Sequence, residues 1–376
     1  MAGVVWQYWL YCQTIYPAEP APVWRGRSGP PPPPHLVHPR AHLPNSHEMH
    51  RSRLLVRPCS RLFSTSAPTR SASAAPAYRP PVEPGVLPAF DAAVDYIARD
   101  RQQKLERLEQ LRKDAGATET QLEKLEVEAW SNDPETRWRA KNGFADFSKP
   151  VYRHLVERAW RNEGDLAILM QRVTQMNVIP DVVGDIYPEI DLRIQVAGET
   201  IEPGVFTLPA QTREGIEVSA QVFHAEEKLY TLLLVDPDVP DELNATFTTY
   251  AHWLIPNIPL SATTSPTLSS LPPSTLPYLP PHPQNGTPYH RYTLLLLSQP
   301  SALSLPSEIK RRGFDVRAFV NQHGLEPKGV SFFRQLWDRD VSAIYKEVLH
   351  KPEPRFARRL PKEGKDEQRP PKYELY

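Results

Sequence analysis

Five side chains in the second half of this 376-residue sequence could meet in one site: Asp236, Asp238, His252, His290 and Tyr292. An imidazole, neutral or protonated, can donate to an anion, and a carboxylate beside it orients and charges the ring. The five would then form a small pocket for an anion such as a phosphate group. The same set could equally be a satisfied buried polar network that ties a turn to two strands. Covalent catalysis needs a nucleophile beside a base, and none is offered. Both cysteines, Cys12 and Cys59, lie far upstream, and no G-x-S-x-G elbow is present. His252, His290 and Asp236 are of metal-ligating type, but their spacing fits no metal motif. The expectation is a protein without a catalytic residue, a metal or a cofactor.

Strand ends must position these groups. Leu229–Pro240 reads LYTLLLVDPDVP. An apolar run this short predicts a strand covered on both faces over Leu229–Val235, followed by a proline-fixed turn that displays Asp236 and Asp238. His252 heads the stretch His252–Pro259. His290 and Tyr292 follow the loop Asn285–Pro288 and lead into a strand over Thr293–Leu297. Upstream the period is two: Leu192, Ile194 and Val196, a turn at Ala197-Gly198, then Ile216, Val218, Ala220 and Val222. Such short alternating strands with frequent turn signals predict an antiparallel β-rich domain.

The motifs resemble those of the phosphatidylethanolamine-binding-protein family. The matching residues are Asp236-Pro237-Asp238-Val239-Pro240, His252-Trp253, and Tyr278 through Gly286-Thr287 to His290-Arg291-Tyr292, the last spaced without a gap. Phe314–Phe319 and Phe332–Asp338 resemble the family's closing segment, so the likeness spans roughly 187–345. It implies an α+β fold: an antiparallel β-sandwich with flanking helices, here preceded by a helical extension. It also implies that the five residues line a small ligand pocket. The chain departs from the pattern at Pro280 and His282, which stand where the family has glycines, and at Pro288, which replaces the glycine before His290. Proline removes a backbone donor, and His282 is expected to narrow the mouth. The pocket is therefore read as vestigial, and the polar-network reading is preferred.

The remainder of the chain differs in character. Forty-three prolines exclude a chain packed throughout. Residues 1–80 carry nine arginines, two glutamates and no lysine, with a polyproline run at Pro30–Pro34. From Met49 the Arg- and Ser-rich, nearly acid-free composition is that of a mitochondrial transit peptide. Met49 is the expected true start, and Arg61–Ser64 the expected processing region. Residues 81–182 read as a helical extension, with Asp133-Pro134 and Ser148 as helix starts and a break at Ala115-Gly116. Those helices are either arms laid against a partner or a subdomain packed on the sheet. The β domain is assigned to 183–347. Within it, 261–277 holds thirteen Ser, Thr or Pro among seventeen residues and reads as a flexible surface insertion. Residues 348–376 form an extended basic tail. In it Arg355, Arg358, Arg359, Lys362 and Lys365, interleaved with aromatics, are candidates for RNA or protein contact.

With these extensions, the domain resembles the family's relatives that serve as structural proteins of the mitochondrial large ribosomal subunit. That resemblance implies a matrix location, a place in the central protuberance, and ribosomal RNA and neighbouring large-subunit proteins as partners. No run approaches the ~18 apolar residues of a membrane span, and no homo-oligomer is expected. The alternative is a free family member that binds phospholipid headgroups or other anions, or regulates a kinase. Such a protein needs neither the helical extension nor the basic tail.

Overall fold

The computed structural model describes residues 76–114, 116–264, 266–268, 271–306 and 308–356. The transit peptide, Met49, the processing region, and Arg358, Arg359, Lys362 and Lys365 lie outside the described residues.

Two antiparallel sheets form the domain. The smaller has the order β2-β1-β3, from β1 (Asp191–Val196), β2 (Glu199–Ile201) and β3 (Glu217–Gln221). The larger runs β5-β4-β6-β7, from β4 (Lys228–Asp241), β5 (Thr246–Leu260), β6 (His290–Ser298) and β7 (Glu326–Gln335). Side chains alternate across the larger sheet. Leu232, Leu234, Leu294, Leu296 and Phe333 meet Leu192, Ile194, Val218 and Ala220 of the smaller sheet. Leu233, Val235, Leu295, Leu297 and Phe332 face the other way, into a layer of helices. With both faces covered, β4 and β6 read as unbroken apolar runs, whereas the half-covered β1 and β3 alternate. Each leucine buried this way contributes roughly 1.5–3 kcal/mol. Gly329 lets the two sheets close: a Cβ there would lie 3.2 Å from that of Leu296 and 3.3 Å from that of Leu192.

Among the described residues, six helices precede the sheets: α1 (Pro88–Lys113), α2 (Glu119–Trp130), α3 (Pro134–Lys141), α4 (Pro150–Asn162), α5 (Asp165–Gln175) and the single turn α6 (Val178–Asp181). Two follow within the domain, α7 (Val316–His323) and α8 (Arg339–Glu347). Asp133 caps α3 through Thr136 N, as its Asp-Pro start predicts. Ser148 does not cap α4. Lys149 occupies that position with Pro150 next, and the Ser148 hydroxyl turns back to Asp146 at 2.6 Å. The two readings of the helices divide along the chain. Leu169, Val173, Val178 and Val182 are core residues against the large sheet, so α5 and α6 are packed on it. In α1 only Leu108 is buried, and in α2 only Ala129. That hairpin is tied to α4 through Arg153, whose guanidinium pairs with Glu123 at 2.9 Å.

The stretch 261–277 is not a loose surface insertion. Leu268 N donates to Val218 O, and Ala220 N to Pro266 O, along the edge of β3. Leu276 then exchanges both backbone bonds with Leu254 of β5, at 3.0 and 3.2 Å. The segment thus laces the outer strand of one sheet to that of the other. Its few leucines are what hold it: Leu276 enters the helix-side core, and Leu268 and Leu271 pack between the sheets.

Candidate functional site

The expected turn after Val235 is absent. β4 continues to Asp241, and one extra residue is accommodated between the pairs Asp236–Tyr250 and Val239–Thr248. A second bulge lies opposite, in β5: Leu234 pairs with Trp253 and Val235 with Ala251, leaving His252 as the extra residue. Bulges re-aim side chains, and here they bring His252 towards Asp236. Arg311 supports the bulge by donating to the carbonyls of Ala251 at 3.1 Å and His252 at 2.8 Å. The strand expected over Thr293–Leu297 begins at His290, so His290 and Tyr292 are strand residues facing the core between the sheets.

Four of the five predicted residues share one buried cluster. Asp236, His252, His290 and Tyr292 are each at most 1% exposed. His290 Nδ1 lies 2.7 Å from Asp236 Oδ2, and its Nε2 2.9 Å from the Thr287 hydroxyl. That hydroxyl donates to Gln284 O at 2.8 Å, so it accepts from His290, and both ring nitrogens are donors. Burial opposes this charge, but the Asp236 carboxylate outweighs it and raises the pKa of His290. Asp236 is pulled the opposite way: burial would raise it, and the His290 charge and hydrogen bond hold it below the usual value. The pair is an ion pair with an aromatic lid. Tyr292 stacks between His290 and Phe333 at 6.4 and 5.4 Å, and burial drives its pKa well up.

His252 is the other kind of histidine. Its Nδ1–H donates to Leu279 O at 2.9 Å, and its Nε2 has no hydrogen-bond partner. Burial, then neighbouring His282, push its pKa down to about 3. His282 is also buried, donates to Pro280 O at 2.8 Å, and has its pKa lowered by burial. Its ring contacts those of His252, Tyr250 and Tyr345 at 5.0, 5.5 and 5.4 Å. The imidazole goes further than narrowing the mouth. A cleft of about 660 Å³ does open here, lined by Tyr250, His282 and Tyr345 together with Lys351, Pro354 and Phe356. Asp236, His252, His290 and Tyr292 do not line it.

The C-terminal segment closes the other side of that cleft. Glu353 takes hydrogen bonds from Ser342 Oγ at 2.7 Å and from the Trp337 indole. Phe356 N donates to Asn285 O at 2.8 Å. Gly286, at φ +90, makes this docking fit, because a Cβ there would fall 1.8 Å from Phe356 O. Arg355, exposed, bridges to Asn285 through its backbone.

Asp238 belongs to a different construction. Its carboxylate takes Arg291 Nε at 2.8 Å and Nη2 at 2.6 Å, besides the Arg291 amide at 2.8 Å. Arg291 Nη1 reaches on to Met176 O, Asn177 O and Asp181 Oδ2 at 2.8–2.9 Å. Arg291 therefore clasps β4 and β6 to the end of α5 and to α6. Arg291 is not among the expected site residues, although it stands between two of them in the His290-Arg291-Tyr292 motif. Thr287 and Gln335 were also omitted. Gln335 Nε2 donates to the hydroxyls of Thr207 at 3.0 Å and Thr212 at 2.8 Å, and nothing in its own strand marks it.

Among the described residues, no group of three or more His, Cys, Asp or Glu is placed to hold a metal, and no helix is long and apolar enough to cross a membrane. The arrangement can hold one buried proton and a network of strand ends.

Comparison with known proteins agrees with the motifs. The phosphatidylethanolamine-binding-protein family model matches residues 195–333. The large ribosomal subunit protein mL38 of Schizosaccharomyces pombe is 30% identical over 233 residues, which is 60% of this chain and 75% of that protein. Protein TWIN SISTER of FT of Arabidopsis thaliana is 29% identical over 42% of this chain and 87% of its own length. Among solved structures, a carboxypeptidase Y inhibitor in complex with its proteinase aligns with 45% of this chain and 95% of its own, at 20% identity and TM-score 0.40. The likeness to the yeast protein reaches well outside the binding-protein domain, and the chain belongs to the mL38 family of large-ribosomal-subunit proteins.

Proposed function

We infer that the chain is a structural constituent of the mitochondrial large ribosomal subunit, located with it in the matrix, and not an enzyme. The observation that carries this is the 30% identity across three quarters of the yeast mL38 protein. The domain over 183–347 serves as a rigid scaffold, with its ligand pocket given over to structure. The filled mouth at His282 and the ion pair sealed beneath Tyr292 support that role. The helices within 81–182 and the tail 348–376 act as the anchoring parts. They contact ribosomal RNA and neighbouring proteins of the central protuberance, the tail through Arg355, Arg358, Arg359, Lys362 and Lys365. The eight bases against five acids from Lys351 onward support a polyanion as the tail's partner. The mature chain begins between Ser64 and Ala75.

Sedimentation of the tagged protein from mitochondrial lysate tests the reading, and the intact chain is expected in the large-subunit fraction. A chain deleted for 357–376 should be lost from it first at raised salt, since each paired phosphate adds about one unit to the salt slope. Sedimentation of the intact chain as a free protein would overturn the ribosomal assignment.

A further inference from the structure

Beside the clasp lies a second arginine with an opposite situation. Arg334 stands directly across from Arg291 in the β6–β7 register. Arg291 is neutralised by Asp238 and Asp181. Arg334, among the described residues, has no carboxylate in ion-pair range. Its Nε donates to Gly204 O at 2.7 Å, which leaves both Nη groups unbonded. What holds the guanidinium is aromatic: it lies 4.0 Å from the centre of the Phe206 ring and 5.2 Å from that of Tyr289. The two rings meet edge to face at 5.8 Å. Phe206 is 46% exposed and Tyr289 38%, so the two rings form a contiguous aromatic surface open to solvent. Glu202 of the same loop is already engaged, by Arg172 at 2.7 Å.

The geometry points to Phe206, Tyr289 and Arg334 as a stacking platform for one unpaired RNA nucleotide, its base on the exposed rings and its phosphate on the guanidinium. A nucleotide joins a flat π-surface to a negative charge, and both are what this patch leaves unmet. An acidic peptide would answer the charge and leave the rings bare. That the polyanion is RNA rests on the ribosomal reading. The site itself is separate from the tail and from the buried cluster.

Fluorescence anisotropy of the full chain with a short single-stranded RNA, and with a duplex of the same sequence, tests the proposal. Phe206→Ala should weaken single-strand binding by about 5- to 150-fold, the fold-change of losing one base stack, whereas Arg334→Gln, which removes the phosphate contact, should weaken single-strand binding and lower its salt slope by about one unit. Duplex binding, which needs only phosphates, should stay within about two-fold in the Phe206 variants. Phe206→Leu keeps the apolar bulk, guards against misfolding, and should show the same selective loss. Single-strand affinities equal to wild type in all three folded variants would overturn the platform. So would variants that bind both RNAs normally yet drop out of the large-subunit fraction, since the patch would then take a protein. If the wild-type chain never enters that fraction, the ribosomal reading fails, while a single-strand-selective loss would still establish the platform.

Discussion

Two carboxylates only two residues apart, Asp236 and Asp238, are set to different tasks by the side of the strand on which each lies. Asp236 faces inward, is sealed from solvent, and holds one protonated histidine. Asp238 lies toward the helices, is partly exposed, and holds an arginine that ties two layers together. Burial sets the magnitude. Removing one member of a sealed pair strands the other charge, whereas water can replace a lost partner at the rim. The family motif supplies both acids to one turn-like sequence, and here each engages a different cation of β6.

The comparison can be broken most severely at Asp236. Asp236→Ala leaves His290 charged without a partner, or neutral at the cost of its raised affinity for a proton. A loss of about 3–5 kcal/mol is expected, read as a shift in the urea midpoint with the slope unchanged. A loss under about 1 kcal/mol would mean that the pair is not an ion pair.

Arg291→Ala should cost less, about 2–3 kcal/mol, because Asp181 and Asp238 keep some access to water. Its effect should also be local. Hydrogen exchange is expected to accelerate in 165–181 while the strand ends around His290 stay protected. Equal acceleration in both regions would merge the clasp and the cluster into one unit.

The third test uses pH. His252 is held neutral with its pKa near 3, against 6.5 for an ordinary histidine, and His282 is shifted in the same direction. The unfolded chain binds those protons first, so their contribution is complete above pH 6.5 and is lost as pH falls towards 3. His290 has the reverse sign: its raised pKa favours the fold below 6.5, and that contribution fades as pH rises through the folded value. Asp236, lowered from 3.8, contributes above that pH and loses its contribution only in stronger acid. Between pH 6 and 4.5 the two neutral histidines dominate: His252 should take stability down by about 1.4 kcal/mol per pH unit, and His282 adds a loss in the same direction. His252→Leu should remove one such increment from the slope. A flat profile over this range would show that the rings are not buried as neutral groups.

The smallest expected effect is on ligand binding. Titration of the intact chain with phosphate or phosphoethanolamine should give no saturable heat, and His290→Ala should leave that baseline unchanged. Micromolar binding abolished by His290→Ala would restore the pocket as a working site. His282→Gly sharpens the point, since it removes the ring between the cleft and His252, and any recovered anion binding should appear there first.

Much of this was legible without coordinates. Local chemistry is written in neighbouring residues. The cap at Asp133, the alternation of β1 and β3, and the unbroken runs of β4 and β6 each follow from propensity or from the number of covered faces. The motif spacing from Tyr278 to Tyr292 marked the family. Ser148 failed because a proline at the first helical position two residues on took precedence. The stretch 261–277 failed because its composition hid three leucines whose placement gives the segment a core and two strand edges to follow.

What only the tertiary structure decided is which group answers which. Asp236 and His290 are 54 residues apart, and their union depends on the register of β4 against β6, which no local preference encodes. A bulge of one residue turns His252 inward, and a shift of that size is invisible in a side-chain pattern read from one strand. Arg291 and Arg334 are the same residue type at matched positions in paired strands. One is neutralised and the other left with bare Nη groups because α6 and Asp238 reach the first, whereas among the described residues the second meets two aromatic rings and the Gly204 carbonyl. Charge in a protein is settled by what the fold brings within a few ångströms, and that is a property of packed layers rather than of chain order.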